Sequence, residues 1–219
     1  MNLVLFGPPG CGKGTQAELL GERLGLAHLA TGDMLRAAVA AGTETGKRIE
    51  RVMAAGELVP DEVVIDIIAE RLDGAAAANG FVLDGFPRTI AQAEALDAML
   101  AERHRAIDRV VELEVDEEVL VERISGRFAC AACGALYHDR FKPTRVAGRC
   151  DECGGTEFVR RKDDAPETVR ERLKAYRRQT APLLPYYRDR GLLASVDGMA
   201  GIDAVAAAIE RVLDGRGGH

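Results

Sequence analysis

A glycine-rich segment near the start of the chain constrains the fold more than any other stretch. It reads GPPGCGKGT over residues 7–15. The apolar run at residues 3–6 predicts a buried parallel strand before it, and residues 16–24 predict an amphipathic helix after it. Glycines allow a tight turn whose backbone N–H groups point into one concavity, and the helix N-terminus adds positive potential there. With the charge of Lys13 at the same place, the segment fits the P-loop pattern G-x-x-x-x-G-K and predicts a protein that handles nucleoside phosphates.

The P-loop pattern of this chain departs from the common form at the residue after the lysine. Gly14 stands there, and the hydroxyl comes one place later at Thr15, which leaves direct contact between Thr15 and a magnesium ion an open question. Cys11 lies inside the loop, where it is either a small residue that lines the turn or a thiol that responds to oxidation. The alternative to a P-loop is an ordinary glycine-rich turn, which does not explain why a strand, a lysine and a helix stand in register.

Composition and charge narrow the class of protein. The 219 residues suit one core domain with insertions, and a hydrophobic content of 47% is ordinary for a globular protein. We expect no transmembrane helix, because the sequence lacks an apolar run of about 18 residues. The N-terminus has no basic region followed by an apolar stretch, so a cytoplasmic location is the default expectation. A net charge of −6 argues against a protein whose main task is to bind nucleic acid.

Apolar runs that predict strands alternate with helical patterns along most of the chain. The predicted strands lie at residues 3–6, 27–30, 81–84, 110–115 and 192–196. This alternation predicts an α/β protein, with a three-layer P-loop NTPase-like fold, a central parallel five-stranded sheet and helices on both faces. Ligands of such sheets bind at the carboxyl ends of the strands, which is where the P-loop, Thr31 and Asp84 fall.

Two segments of different composition interrupt this pattern and would lie over the site. Residues 30–59 contain short helical patterns, one of them at 34–41, and predict a small helical flap. Residues 126–164 are rich in cysteine, glycine and aromatic residues without a long helical period, and predict a small β-rich lid. The helix after the flap is predicted to have Pro60 near its first turn. The predicted core consists of the other segments, residues 1–29, 60–125 and 165–219. Its last five residues, 215–219, are predicted to form a tail.

Four of the five cysteines form two C-x2-C pairs within the predicted lid. The pairs are Cys130 with Cys133 and Cys150 with Cys153, and a glycine follows each pair. Four thiolates at this spacing favour a closed tetrahedral Zn²⁺ site, which is structural because no coordination position stays open. Two disulfides, or four unrelated buried cysteines, are the alternatives. Metal binding would contribute on the order of 10 kcal/mol to ordering a segment with so little core of its own.

Taken together and in order, the motifs resemble those of adenylate kinases of the long-lid, zinc-containing bacterial kind. The resemblance runs from residue 3 to about residue 198 and covers nearly the whole chain. Single motifs are shared with other nucleoside monophosphate kinases, whereas the ordered set is specific. Besides the P-loop and the four cysteines, the motifs are TGDMLR at 31–36, GELVPD at 56–61, DGFPRT at 84–89, ERISGR at 122–127, RRKDD at 160–164 and ETVRERL at 167–173.

The resemblance implies a reaction and a set of site residues. The reaction is reversible phosphoryl transfer from Mg-ATP to AMP, giving two ADP, by a monomer with a structural zinc ion in its lid, and the flap binds the nucleoside monophosphate. The implied ATP-binding residues are Gly10, Cys11, Gly12, Lys13, Gly14, Thr15, Arg123, Arg127, Leu136 and Tyr137. The implied AMP-binding residues are Thr31, Gly32, Arg36, Glu57, Leu58, Val59, Gly85, Phe86, Pro87, Arg88, Gln92, Arg161 and Arg172. The implied catalytic residues are Lys13, Asp84, Arg88, Arg123, Arg161 and Arg172.

This chemistry explains why so many basic side chains are needed. Phosphoryl transfer between two nucleotides gathers several negative charges and spreads charge over the equatorial oxygens of the transferred group. The acceptor phosphate is already a nucleophile near neutral pH, so the reaction needs positive charge and positioning rather than a general base. Asp84 is predicted to hold Mg²⁺ through water. Asp163 and Asp164 are either partners for lid closure or an ordinary acidic pair at a helix N-terminus.

Two alternatives to this activity remain at the level of sequence. The first is a kinase for another nucleoside monophosphate, or one that uses GTP as donor; Gln92 and the long cysteine-bearing lid favour AMP. The second is a regulatory protein that binds a nucleotide at the P-loop and RNA or a protein partner through a zinc ribbon. The acidic net charge and the number of arginines within motifs speak against the second.

Overall fold

The computed structural model describes residues 1–215. Nine α-helices and eight β-strands occur in this range. The strands are β1 (Asn2–Phe6), β2 (Ala27–Ala30), β3 (Phe81–Asp84), β4 (Arg109–Glu114), β5 (Arg127–Cys130), β6 (Leu136–His138), β7 (Phe158–Val159) and β8 (Leu193–Asp197). The helices are α1 (Lys13–Leu24), α2 (Thr31–Ala40), α3 (Glu44–Ala54), α4 (Asp61–Leu72), α5 (Ile90–Glu102), α6 (Glu117–Ser125), α7 (Pro166–Ala175), α8 (Leu183–Arg188) and α9 (Ile202–Leu213). Most of the predicted tail, residues 216–219, lies outside the described residues.

The predicted five-stranded parallel sheet is confirmed. Its strand order is β2-β3-β1-β4-β8, and all neighbouring strands are parallel. β1 lies in the centre, where Leu5 pairs with Asp84 of β3 on one side and with Val111 of β4 on the other. The carboxyl ends of these strands therefore meet at one edge of the sheet, beside the segment that follows β1.

The two faces of the sheet bury separate hydrophobic clusters. Alternate residues of a strand point to opposite faces, so Val4 and Phe6 pack in one cluster while Leu3 and Leu5 pack in the other. The first cluster is covered by α4, α5 and α8, and the second by α1, α6, α7 and α9. This arrangement is the three-layer α/β architecture that the sequence predicts.

One helix boundary differs from the sequence prediction. α2 begins at Thr31 rather than near residue 34, because Thr31 donates its hydroxyl hydrogen to Asp84 O at 3.0 Å and Asp33 provides negative charge in the first turn. Pro60 lies immediately before the first turn of α4, near that turn as predicted. The helix after the lid ends at Ala175, where a π-helical turn, Tyr176–Thr180, separates α7 from α8.

The lid segment contains a small antiparallel sheet with its own aromatic cluster. The strand order is β6-β5-β7. Phe128, Tyr137 and Phe158 pack together with ring centroids 5.3–5.9 Å apart. The β character predicted for this segment is confirmed, whereas its motion as a separate unit stays a prediction. Of the helices in the described range, none has the length and apolar character needed to cross a bilayer.

The two helices of the flap meet at Gly46, which lies in the first turn of α3. A Cβ atom at this position would lie 2.4 Å from Ala38 O and 3.2 Å from Val39 Cα of α2. Because both atoms belong to the backbone, they cannot move aside as a flexible side chain would. The absence of a side chain therefore sets the separation of α2 and α3.

We predict that Gly46→Ala destabilises the protein even though alanine is the better helix former. Helix propensity alone would favour alanine by up to about 1 kcal/mol, but the contact with α2 should outweigh it and lower the free energy of unfolding by about 1–3 kcal/mol. Urea unfolding measures this change. Thr45→Ala, at an exposed position of the same turn, is the control and should stay within about 0.5 kcal/mol of the wild type. A more stable Gly46→Ala variant would contradict the packing argument.

Candidate active site

One large cavity opens at the carboxyl ends of the central strands. Its volume is about 500 Å³, and the P-loop, the flap, the lid and the loop after β3 all contribute to its wall. Every residue that the sequence predicts for ATP binding, AMP binding or catalysis lines this cavity. The structure thus brings the predicted nucleotide-site residues together in one place.

The P-loop forms the wall of the cavity that lies nearest to the central strand. Gly12 has a φ of 103°, a left-handed conformation that glycine adopts without strain, and α1 begins at the next residue. Lys13 Nζ donates to Gly7 O at 2.8 Å and to Pro8 O at 2.9 Å, so the ammonium group lies over the loop itself. The backbone N–H groups at the start of α1 and this charge form an anion-binding site.

Cys11 is a residue of the P-loop itself. Its side chain is buried, and Sγ lies 3.5 Å from Lys13 Nζ. Burial raises the pKa of the Cys11 thiol, which favours the less reactive protonated form. Of the two interpretations given above for Cys11, the structure favours a small residue that fills the turn.

Asp84 ends β3 and faces the P-loop. Burial alone would raise the pKa of Asp84, but the approach of His28 and the positive charges of Lys13 and Arg88 outweigh burial, so its pKa lies below the ordinary value. The His28 ring nitrogen Nε2 lies 3.9 Å from Asp84 Oδ2. Asp84 is therefore ionised near neutral pH, and an ionised carboxylate oxygen is the type of group that holds Mg²⁺ and its bound waters.

Several arginines concentrate positive charge in the cavity. Burial and the charge of Arg172 lower the pKa of Arg88 to about 10, and burial and the charge of Arg127 lower the pKa of Arg161 to about 10. The pKa of Arg172 is lowered in the same direction by burial and by neighbouring arginines. A lowered pKa means that the charged form of each guanidinium is disfavoured here, first by burial and then by neighbouring positive charges, so a bound anion would stabilise that form.

Two buried carboxylates hold part of this cluster in place. Asp164 accepts two hydrogen bonds from Arg127, at 2.9 Å from Nε and 2.6 Å from the terminal nitrogen. Asp163 accepts from Arg172 at 2.9 Å, and Asp164 lies 3.3 Å from the same nitrogen. The two aspartates thus link Arg127 of the lid to Arg172 of α7, whereas their part in lid closure stays a prediction.

Arg88 is fixed through its backbone as well as its side chain. Its N–H donates to Gln92 Oε1 at 2.7 Å, and its carbonyl accepts from Thr180 Oγ1 at 3.0 Å. The guanidinium Nε donates to Gly85 O at 2.7 Å. Thr180 belongs to the π-helical turn after α7, and such turns are frequent at functional sites.

Sequence reasoning missed some of the residues that line the cavity. Thr180 could not be found, because the π-helical turn that carries it leaves no signature in the sequence. Phe141 could have been predicted to line the site, because it is an aromatic residue between two basic ones, Arg140 and Lys142. Its ring lies 5.5 Å from the guanidinium carbon of Arg123, which gives the cavity an aromatic and cationic wall on the lid side.

The four cysteines of the lid form one cluster. Their Sγ atoms all lie within 4.8 Å of one another, and a tetrahedral site with Zn–S bonds of about 2.3 Å requires sulfurs roughly 3.8 Å apart. The closest pairs, at 3.5 and 3.6 Å, are too far apart for disulfides. The predicted clustering is confirmed, and the donor set fits a metal that prefers four thiolates.

The two cysteine pairs have the same local conformation. Gly134 N donates to Cys130 O at 2.9 Å, and Gly154 N donates to Cys150 O at 3.0 Å. Both glycines have positive φ values, 78° and 73°, which lets each turn close behind its second cysteine. Tyr137 adds a further contact to the cluster, since its hydroxyl lies 3.2 Å from Cys150 Sγ.

Comparison with known proteins identifies the family. The sequence model of the adenylate kinase family matches residues 5–192. The chain belongs to the adenylate kinase family. Similar proteins described as adenylate kinases include those of Paramagnetospirillum magneticum, 59% identical over 98% of this chain and 99% of the relative, and Rhizorhabdus wittichii, 58% identical over 98% and 100%. An adenylate kinase of Novosphingobium aromaticivorans is 56% identical over 99% of this chain and 100% of the relative. As a member of this family, the chain is a phosphotransferase.

We predict that a multivalent phosphate stabilises this adenylate kinase family member because it relieves repulsion among the cavity arginines. Inorganic tripolyphosphate at about 100 times its dissociation constant should raise the melting temperature by about 5–10 °C. Differential scanning calorimetry measures this shift. Arg88→Gln should give a smaller rise, whereas Arg48→Gln, an exposed arginine of α3, should behave as the wild type. An equal rise with sodium chloride of the same ionic strength would contradict the prediction.

Proposed function

We propose that this enzyme transfers the terminal phosphoryl group of Mg-ATP reversibly to AMP, giving two ADP, within the cavity described above. One observation carries the proposal: the P-loop lysine and the arginine cluster line the same cavity. Such an arrangement suits two phosphate chains that meet end to end. A P-loop protein that only binds and hydrolyses one nucleotide has no need for a second wall of arginines.

The reaction needs no general base in the protein. A phosphate monoester has a second pKa near ~6, so the acceptor phosphate is already largely a dianion at neutral pH. The remaining requirements are alignment of the two phosphates and compensation of their charge. Lys13, Arg88, Arg123, Arg161 and Arg172 supply positive charge around the cavity, and arginine suits the task because its planar group can hold two phosphate oxygens at once.

We assign the donor nucleotide to the P-loop side of the cavity. Residues 10–15 would bind the phosphates of ATP through backbone N–H groups and Lys13. Arg123, Arg127, Leu136 and Tyr137 would contact the rest of the nucleotide from α6 and the lid. Arg123 also donates to Gly198 O at 3.0 Å, which ties this side of the cavity to the loop before α9.

We assign the acceptor nucleotide to the flap side. Thr31, Gly32, Arg36 and residues 57–59 would contact AMP from the flap and the segment after it. Residues 85–88 and Gln92 would contact it from the loop after β3 and from α5. Arg161 and Arg172 would hold its phosphate in line with the P-loop.

Exclusion of water is the reason for the two insertions. Water in the site would accept the phosphoryl group and hydrolyse ATP. In this structure the end of the lid segment contacts the flap, since Arg161 lies 3.2 Å from Asp33 and Lys162 lies 3.1 Å from Glu50. We propose that the flap, residues 30–59, and the lid, residues 126–164, close over the core for the chemical step and open for release.

Two metal ions belong to this proposal. When bound with ATP, Mg²⁺ neutralises charge on the terminal phosphates, and Asp84 would hold it through water, with Thr15 at the same side of the cavity. Zn²⁺ would occupy the four cysteines and has no part in the chemical step, because a four-thiolate site leaves no open position. Its role would be to keep the lid rigid, so that closure occurs at the hinges.

An acceptor screen tests the function. Purified protein is mixed with Mg-ATP and with AMP, GMP, CMP or UMP, and ADP formation is followed. Rapid ADP formation with AMP alone is the expected result, and GTP in place of ATP should be a poor donor. Nucleotide binding without transfer to any acceptor would overturn the proposal and favour a regulatory binding protein.

We predict that loss of the metal lowers thermal stability. Cys133→Ser removes one ligand, and it should reduce the zinc content from about one ion per chain to near zero and lower the melting temperature by about 5 °C or more. Elemental analysis and calorimetry measure the two effects. Ala132→Ser, at an exposed neighbour of Cys133, is the matched control. A metal-free protein with unchanged melting temperature and unchanged resistance of the lid to proteolysis would refute a structural role.

A further inference from the structure

Asp61 is not among the residues that line the cavity, but it accepts a hydrogen bond from Gln92, one of the predicted AMP-binding residues. It is the first residue of α4. Gln92 Nε2 donates to Asp61 Oδ1 at 2.7 Å, and Thr89 Oγ1 donates to Asp61 Oδ2 at 2.9 Å. Each carboxylate oxygen therefore accepts one hydrogen bond, and both donors come from the segment that begins α5.

The two partners of Gln92 determine which way its amide group faces. An Asp carboxylate can only accept hydrogen bonds, so it requires the NH2 group of Gln92. The Arg88 N–H can only donate, and it requires the amide oxygen at 2.7 Å. A 180° rotation of the amide would place Oε1 against Asp61 and NH2 against the Arg88 N–H, and both hydrogen bonds would be lost. Only 2% of Gln92 is exposed, so water could not compensate for them.

A fixed amide can distinguish between purine bases. Gln92 lines the cavity, and after these two hydrogen bonds its amide keeps one lone pair on Oε1 and one N–H. Adenine presents an amino donor at position 6 beside an acceptor at N1, which complements that order of groups. Hypoxanthine and guanine present a carbonyl acceptor at position 6 beside an N1–H donor, and this reversed order pairs only with a rotated amide.

We infer that Asp61 is a positioning residue that sets the preference for adenine over 6-oxopurines at the acceptor site, by preventing rotation of the Gln92 amide. The inference rests on the proposed function, in which Gln92 contacts the base of AMP. Asp61 touches no substrate itself and acts through Gln92. Its effect should therefore appear in the choice between bases rather than in the chemical step.

The test compares AMP with IMP, whose base differs from adenine in the order of these two groups without the extra amino group of guanine. In Asp61→Asn, the new amide can donate or accept, so only the hydrogen bond from the Arg88 N–H still opposes rotation of the Gln92 amide. The ratio of kcat/KM for AMP to kcat/KM for IMP should fall about tenfold, the order expected for one hydrogen bond to a charged group. KM for ATP should be unchanged. Asp61→Glu, which keeps an acceptor-only group, should restore much of the preference.

Controls separate a change of base preference from general damage. Asp97→Asn is the matched change, because Asp97 is also a half-buried helix residue and accepts a hydrogen bond, from Tyr186 at 2.8 Å. Its AMP to IMP ratio should equal that of the wild type. If Asp61→Asn fails to fold, Asp61→Ser provides the same test, because a hydroxyl group can also donate or accept.

Two results would overturn the inference while the proposed function stands. One is an unchanged AMP to IMP ratio in a folded Asp61→Asn variant, even if both activities fall, because Asp61 would then have a structural role only. The other is a wild-type enzyme that uses AMP and IMP equally well. A wild-type protein that forms no ADP from ATP and AMP would instead refute the proposed function itself.

Discussion

The cost of keeping several partly buried arginines charged beside one another is the constraint on which the rest of the structure depends. Burial lowers the pKa values of Arg88, Arg161 and Arg172, and the positive charges of neighbouring arginines, Arg36 among them, lower these pKa values further. Positive charges at this density are tolerated only where carboxylates or a bound anion compensate for them. Asp33, Asp163 and Asp164 are placed to do so in part. The nucleotide phosphates would complete the compensation, so the stability of the closed arrangement and occupancy of the site are linked.

The fold provides a fixed frame for this charge. The parallel sheet brings the ends of β1 and β3 to one edge, so Lys13 and Asp84 face each other across a short distance without any long-range adjustment. The arginines of the cavity instead belong to α2, the loop before α5, α6, the lid and α7. Because these positions lie on separate elements, the charged wall depends on how the flap, the lid and the core pack together.

Much of the site could be predicted from sequence because local patterns specify it. The P-loop, the end of β3 and the paired cysteines each need particular residues within a few positions of one another, and such spacing is visible in one chain. The partners of Asp163 and Asp164 could not be predicted, since the arginines they hold lie in the lid and on α7. Two other hydrogen bonds could not be predicted either. One joins the Thr180 hydroxyl to the Arg88 carbonyl and the other joins Gln92 to Asp61, and 92 and 31 residues separate these partners along the chain. The start of α2 at Thr31 was missed for a similar reason, as its anchor belongs to β3.

The position of Lys13 has a consequence for how tightly the enzyme can hold its products. Its ammonium group is already hydrogen-bonded to two carbonyls of the loop, so an arriving phosphate exchanges partners with the loop rather than meeting a bare charge. Exchange of one hydrogen bond for another yields a much smaller free-energy gain than formation of a new one. An enzyme of a reversible reaction benefits from this balance, because strongly held ADP would leave slowly and limit turnover in both directions.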